Sequence, residues 1–206
     1  MTLEKYISFK KPVLMEGALG ERLKREFNIK IDGKAAMAPL VFSEKGRNAL
    51  SFLWGEYIAT AEKYTLPIML TTPTRRANKE NVFSAGFNES IIKANTDFLK
   101  EVRKKHKKTQ PVFIGGLMGC NGDAYTGKDA LSEEEAFLFH SWQADLFAKE
   151  NIDFLYAGIM PCVNEAVGMA KAMEKTALPY IISFTIQKNG RLIDGTTIND
   201  AIEIID

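Results

Sequence analysis

Cysteine is nearly missing from this sequence: 206 residues hold only two, Cys120 and Cys162. Two thiols with no C-x-x-C pairing cannot build a disulfide framework, so a reducing cytoplasm is the default expectation. No apolar run is long enough to span a bilayer, and the opening MTLEKYISFKKP lacks the apolar centre of a secretory signal. Net charge is almost absent too, +1 from 27 basic and 26 acidic side chains. That balance removes the electrostatic reason to expect a nucleic-acid or membrane partner. The one basic run, Arg103 to Lys108, ends a helical pattern, where cations suit the negative end of the helix dipole. No low-complexity segment and no composition break marks a linker, so residues 1–206 read as a single domain or part of a larger one.

What the chain does have is apolar sequence in short pieces. Five runs read as buried strands: PVLMEG (12–17), PIMLTTP (67–73), PVFIGG (111–116), DFLYAGI (153–159) and PYIISFT (179–185). None alternates with period two, which suits parallel strands covered on both faces. Helical patterns separate them. Ser43 precedes a face of Leu50, Leu53, Trp54, Tyr57, Ile58 and Ala61, and Asn88 precedes Ile91, Ala94, Phe98 and Val102. Ser132 with Glu135 spells a capping box ahead of Phe139, Trp142 and Leu146. Ala166, Met169, Ala170 and Met173 follow at helical spacing, and Thr197 with Asp200 opens a last helix. This alternation means an α/β fold with parallel strands and right-handed crossovers.

An open doubly wound sheet and a (β/α)8 barrel both satisfy that pattern. A doubly wound nucleotide binder would carry G-x-G-x-x-G at a strand-to-helix turn. Here the glycine-rich stretch GGLMGCNGDAYTG leads into a long loop instead. Barrels place their chemistry at the C-terminal strand ends. Those ends, Glu16-Gly17, Thr71 to Asn78, Gly116 to Thr126, Ala157 to Pro161 and Thr185 to Asn189, are rich in glycine, hydroxyls and amides. The expectation is a TIM-barrel-like fold with about five β/α units present, fewer than a closed barrel needs.

At these strand ends the sequence resembles the homocysteine S-methyltransferase family of zinc-dependent barrels. LMEGALGERL resembles the family's opening Leu-Asp-Gly-Gly/Ala-x-Gly-Thr-x-Leu, and TPTRRAN its Thr-Asn-Thr-Phe-x-Ala-Asn. GGLMGCNGDAYTG resembles its glycine-rich loop, NEAVGMAKAM the segment beginning Glu-Ala, and ISFTIQKNGRLIDGTTINDAI its fifth strand, loop and helix. Three departures stand out. Glu16 replaces the usual Asp, Pro73 replaces Asn, and Ala157-Gly158 replaces a Glu-Thr whose Glu helps hold the amino acid.

The resemblance implies methyl transfer to a thiol acceptor such as homocysteine, as in methionine biosynthesis. The donor would be S-methylmethionine, S-adenosylmethionine, betaine or a methylated folate. It also implies zinc, held by three cysteines from a sixth strand ending in Asn-Cys and a later Gly-Gly-Cys-Cys. A metal-bound thiol is deprotonated and nucleophilic. On that pattern Asp206 lies just before the first ligand, so the chain is expected to be the N-terminal part of a barrel and inactive alone. No metal ligand is assigned within it, Cys120 and Cys162 reading as small loop or core residues. No catalytic residue is assigned either. Substrate contacts are expected at Glu16, Gly17, Thr72, Asn78 and Asp123, with Glu16 pairing with the ammonium of an amino acid. Glu165 reads as a favourable charge at a helix start. Open sheet edges give a route to self-association. The alternative is a non-catalytic relative that binds a small molecule and has lost the metal.

Overall fold

The structure, a computed structural model, describes residues 2–9, 11–31, 33–107 and 109–205; Lys108 and Asp206, which figured in the sequence reading, lie outside them. Five parallel strands form one sheet: β1 (Leu14–Met15), β2 (Ile68–Thr71), β3 (Val112–Gly119), β4 (Phe154–Met160) and β5 (Tyr180–Phe184). Their order in the sheet is their order in the sequence. A doubly wound sheet reverses that order at a switch point, whereas continuous winding curls the sheet. The result is a curled half-barrel.

Eight α-helices and one 3-10 helix (Ala38–Phe42) accompany the strands among the described residues: α1 (Leu3–Ser8), α2 (Leu19–Phe27), α3 (Glu44–Lys63), α4 (Lys79–Ser84), α5 (Ser90–His106), α6 (Glu133–Ala148), α7 (Val163–Glu174) and α8 (Ile198–Ile205). Three of the caps read in the sequence are formed, whereas Asn88 lies one residue outside the Glu89 N-cap of α5 and accepts the Ser90 N–H at 3.0 Å. Ser43 accepts the Gly46 N–H at 3.1 Å, Glu135 reaches back to the Ser132 N–H at 3.1 Å, and Thr197 accepts the Asp200 N–H at 3.1 Å.

Strand residues divide between two cores. Ile68, Leu70, Ile114, Leu155 and Ala157 pack with helix residues such as Leu53, Trp54, Phe147 and Met169. On the other face Phe113 and Phe154 meet Leu3 of α1, with Tyr6, Met69, Tyr156 and Ile181 around them. These inner residues sit near the N-terminal ends of their strands, so α1 fills the floor of the half-barrel. Burying a side chain such as Leu3 there contributes about 1.5–3 kcal/mol.

β3 runs three residues beyond the run that ended at Gly116 in the sequence reading, to Gly119. Glycine is a poor strand former because it has no side chain to pack. Here neighbouring rings supply the packing. A Cβ on Gly115 would lie 2.4 Å from Phe154 Cζ, and one on Gly116 would lie 2.7 Å from Phe147 Cγ. The two glycines let one ring close on each face of the sheet.

Candidate functional site

The C-terminal strand ends form a rim, and Glu16 is its most perturbed group. Glu16 follows β1, where Oε1 accepts from the Thr71 N–H at 3.0 Å and the Thr71 hydroxyl at 2.5 Å. Its Oε2 accepts from the indole Nε1–H of Trp54 at 2.7 Å. Burial raises the Glu16 pKa to about 7, against the pull of these three bonds. The carboxyl therefore changes charge near neutrality, as a group that handles a proton or a cation would. The neighbouring Gly17 is exposed, and its carbonyl accepts from the Tyr57 hydroxyl.

The other expected contacts are placed differently. Thr72 is fully buried; its hydroxyl shares a 2.7 Å bond with Thr74 and accepts the Leu117 N–H at 3.1 Å. It ties the β2 end to β3 from beneath the rim. Asn78 caps α4 by accepting the Asn81 N–H at 2.9 Å, and it lines a polar hollow with Cys120 and Asn121. Asp123 is an exposed turn residue, accepting the N–H groups of Tyr125 and Thr126, which hold its carboxyl below the usual range. Glu16 and Gly17 are brought together; Thr72, Asn78 and Asp123 have their side chains engaged with the backbone or with a neighbouring threonine.

Glu165 does more than favour a helix start. Its fully buried carboxylate accepts the Asn121 N–H at 2.6 Å and the Leu131 N–H at 3.4 Å, and faces His140 Nε2 at 3.1 Å. It thus clasps both ends of the glycine-rich loop, in the manner of an Ω-loop neck. Nothing in the spacing of these residues announces that contact.

Near the C-terminal end of β4 the chain is strained. Ile159 has φ +55°, unusual for a β-branched residue, beside a register shift between Ala157 and Met160. Ser183 of β5 accepts the Ile159 N–H at 2.8 Å and the Tyr156 hydroxyl at 2.9 Å, and donates to the Ala157 carbonyl at 3.2 Å. Ala157 is fully buried and Gly158 has no side chain, so this pair gives the rim no carboxylate.

Burial, then the nearby Glu165 carboxylate, pushes the Cys120 thiol up to about 11. Burial and then Asp194 raise Cys162. Both thiols are thereby kept in their poorly ligating, protonated form. Among the described residues no three His, Cys, Asp or Glu side chains stand close enough to hold a metal ion. The residues present do not fit the zinc that the resemblance implies.

A curled parallel sheet with a buried carboxylate and a clasped glycine-rich loop at its C-terminal ends is a barrel-type scaffold. The family model for homocysteine S-methyltransferase matches residues 13–206, and the chain belongs to that family. Among solved structures it is similar to the homocysteine methyltransferase MmuM from Escherichia coli. The oxidized form superposes with a TM-score of 0.82 at 16% identity, covering 98% of this chain and 72% of that one. The metallated form gives 0.78 at 16% identity, with 98% and 73% covered, and the apo form 0.69 at 16%, with 97% and 69% covered. At that identity the likeness establishes the fold. No curated protein matches the sequence. No helix among the described residues is long and apolar enough to cross a membrane.

Proposed function

We propose that residues 1–206 are the N-terminal part of a barrel that methylates a thiol acceptor such as homocysteine, yielding a thioether as in methionine biosynthesis. The observation that carries this reading is the Glu16 carboxyl, held at the rim with a pKa of about 7. Thr71 and Trp54 occupy three of its roughly four lone-pair positions, leaving one for an N–H of the acceptor's ammonium. A bound cation favours the ionised carboxylate and draws its pKa back down. Binding of the amino acid near neutral pH is then coupled to release of a proton. Gly17 and Asn78 flank the approach, Thr72 holds the β2 end in place, and Asp123 shapes the loop above it.

In the reaction the donor's bond to its methyl group breaks as the sulfur–methyl bond forms, the thiol proton having left beforehand. Activation of that thiol would be supplied by zinc in a complete protein that holds it, the described residues offering no ligand set of their own. With two cysteines in 206 residues, the chain alone is proposed to bind acceptor without turning over.

Calorimetric titration with homocysteine in buffers of different ionisation enthalpy tests this. Saturable binding with proton release, weakened about tenfold or more in Glu16→Ala, is the expected result. Equal binding by that variant would remove Glu16 from the site. The alternative is a small-molecule binder without the metal. Homocysteine binding by a complete protein that takes up no stoichiometric zinc would establish it. The sheet edges at β1 and β5 also lead us to propose self-association, which sedimentation across a concentration series would reveal.

A further inference from the structure

Between α2 and the turn after β2 lies a cavity of about 520 Å³ whose described lining includes Lys24, Lys34, Arg75 and Arg76 and no carboxylate. In a chain of net charge +1 this is a marked local concentration of one sign. Lys24 has an ion-pair partner, Glu21 at 2.9 Å. Lys34, Arg75 and Arg76 form no ion pair among the described residues. Arg75 in addition has a buried Nε with no hydrogen-bond partner among them. That Nε packs against Gly119 of β3, 3.2 Å from where a Cβ on that glycine would lie, and so adds nothing to the cavity.

Two further features suit an anion. Gly20, in the first turn of α2, lines the cavity, and the residue before that helix, Ala18, offers no capping side chain. The positive end of the helix dipole is therefore left uncapped at this wall. The floor is apolar, since Gly20 packs at 3.5 Å, measured from its missing Cβ, against Met37 Sδ.

We propose that this cavity is an anion subsite that takes the carboxylate or phosphate groups of a ligand whose apolar body rests on Met37. Arginine forks match both groups, each accepting two parallel N–H bonds. Resting on the methyl-transfer reading, the proposal extends to the donor, whose carboxylate or phosphate this cavity takes.

The test is calorimetric titration of the full chain at low salt with citrate, with inorganic pyrophosphate and with S-adenosylmethionine. Citrate or pyrophosphate should bind at one saturable site, losing about tenfold or more in affinity as salt is raised to screen the cavity. The tighter of the two anions identifies the group, carboxylate or phosphate. Lys34→Glu with Arg76→Glu, both at exposed positions, should weaken binding about tenfold or more. Gly20→Leu, which fills the cavity without altering charge, should do the same. Absence of saturable anion binding, or binding unchanged in both variants, overturns the subsite. Displacement of citrate by S-adenosylmethionine, itself a carboxylate, supports a donor seated in the cavity, and citrate binding that it leaves undisturbed overturns that extension. Homocysteine plays no part in this assay, so its failure leaves the thiol-methylation reading intact, and anion binding by a protein that methylates no thiol retires that reading alone.

Discussion

The rim above β2 and β3 and the rim above β4 and β5 share one parallel geometry and are held in different ways. On the first, Thr71, Thr72, Thr74 and Gln143 are each 3% exposed or less, and each has its side chain bonded to a neighbour. Thr74 and the Gln143 amide both donate to the Leu117 carbonyl, so two strands and α6 are locked at one point. On the second, every residue of β5 is only half-buried, and Ile159 is strained. A single hydroxyl, that of Ser183, takes most of the local polar load. Backbone strain of this sort costs about 1–3 kcal/mol and persists where the surroundings over-determine it. The first rim is a fixed wall that positions Glu16. The second carries the strain, the exposure and the Ala157-Gly158 departure from the family pattern.

Paired glycine substitutions test that contrast with the largest expected effect. Gly116→Val forces a side chain into the Phe147 ring, 2.7 Å from where its Cβ would sit, and should cost about 3 kcal/mol. Gly158→Ala meets the Leu117 Cδ1 tip at 2.8 Å, which can swing aside, and should cost about 1 kcal/mol or less. Urea midpoints for both variants would show it, and equal losses would break the distinction between the walls.

Next in size is the pH dependence of the fixed wall. Glu16 titrates near 4.5 when unfolded and at about 7 when folded, so the folded state holds its proton more tightly. Its contribution to stability is complete below the unfolded value and is lost as pH rises through the folded one. The slope between them approaches about 1.4 kcal/mol per pH unit. Glu16→Gln, with no proton to lose, should flatten that part of the profile. A difference between the two proteins that stays constant across this window would show that the wall does not depend on the carboxyl's charge.

The smallest effect is expected at Ser183. Ser183→Ala leaves the Ile159 N–H without its acceptor and should cost about 1 kcal/mol. Hydrogen exchange should quicken at the Ile159 amide and stay unchanged at Leu117, whose amide Thr72 holds. Faster exchange at both would mean that the two rims open as one.

The strands were legible because fully covered parallel strands are continuously apolar, and α3, α6 and α8 because Ser43, Ser132 with Glu135, and Thr197 mark their starts. α1 was not, since six residues make under two turns and Leu3 finds its pocket only in the folded molecule. α2 was missed because Ala18, in the left-handed region at φ 54°, precedes it with no capping side chain. The last residues of β3 were hidden because glycine argues against a strand until Phe154 and Phe147 are in place. Glu16 could be picked out by its position at a strand end. Its partners could not, for Trp54 lies 38 residues away and Thr71 55. Thr72 and Asp123 look alike as polar loop residues, and only the fold shows that one is spent beneath the rim and the other in a turn. The basic cavity gathers cations spread from Lys24 to Arg76, a separation that no local charge run reveals.

The seating of Leu3 and Tyr6 against Phe113 and Phe154 puts the beginning of the chain at the end of the half-barrel opposite Glu16. An affinity bead, a sensor chip or a fusion partner joined there hangs beneath the molecule. Immobilised in that orientation, the protein turns its open side toward whatever flows past it.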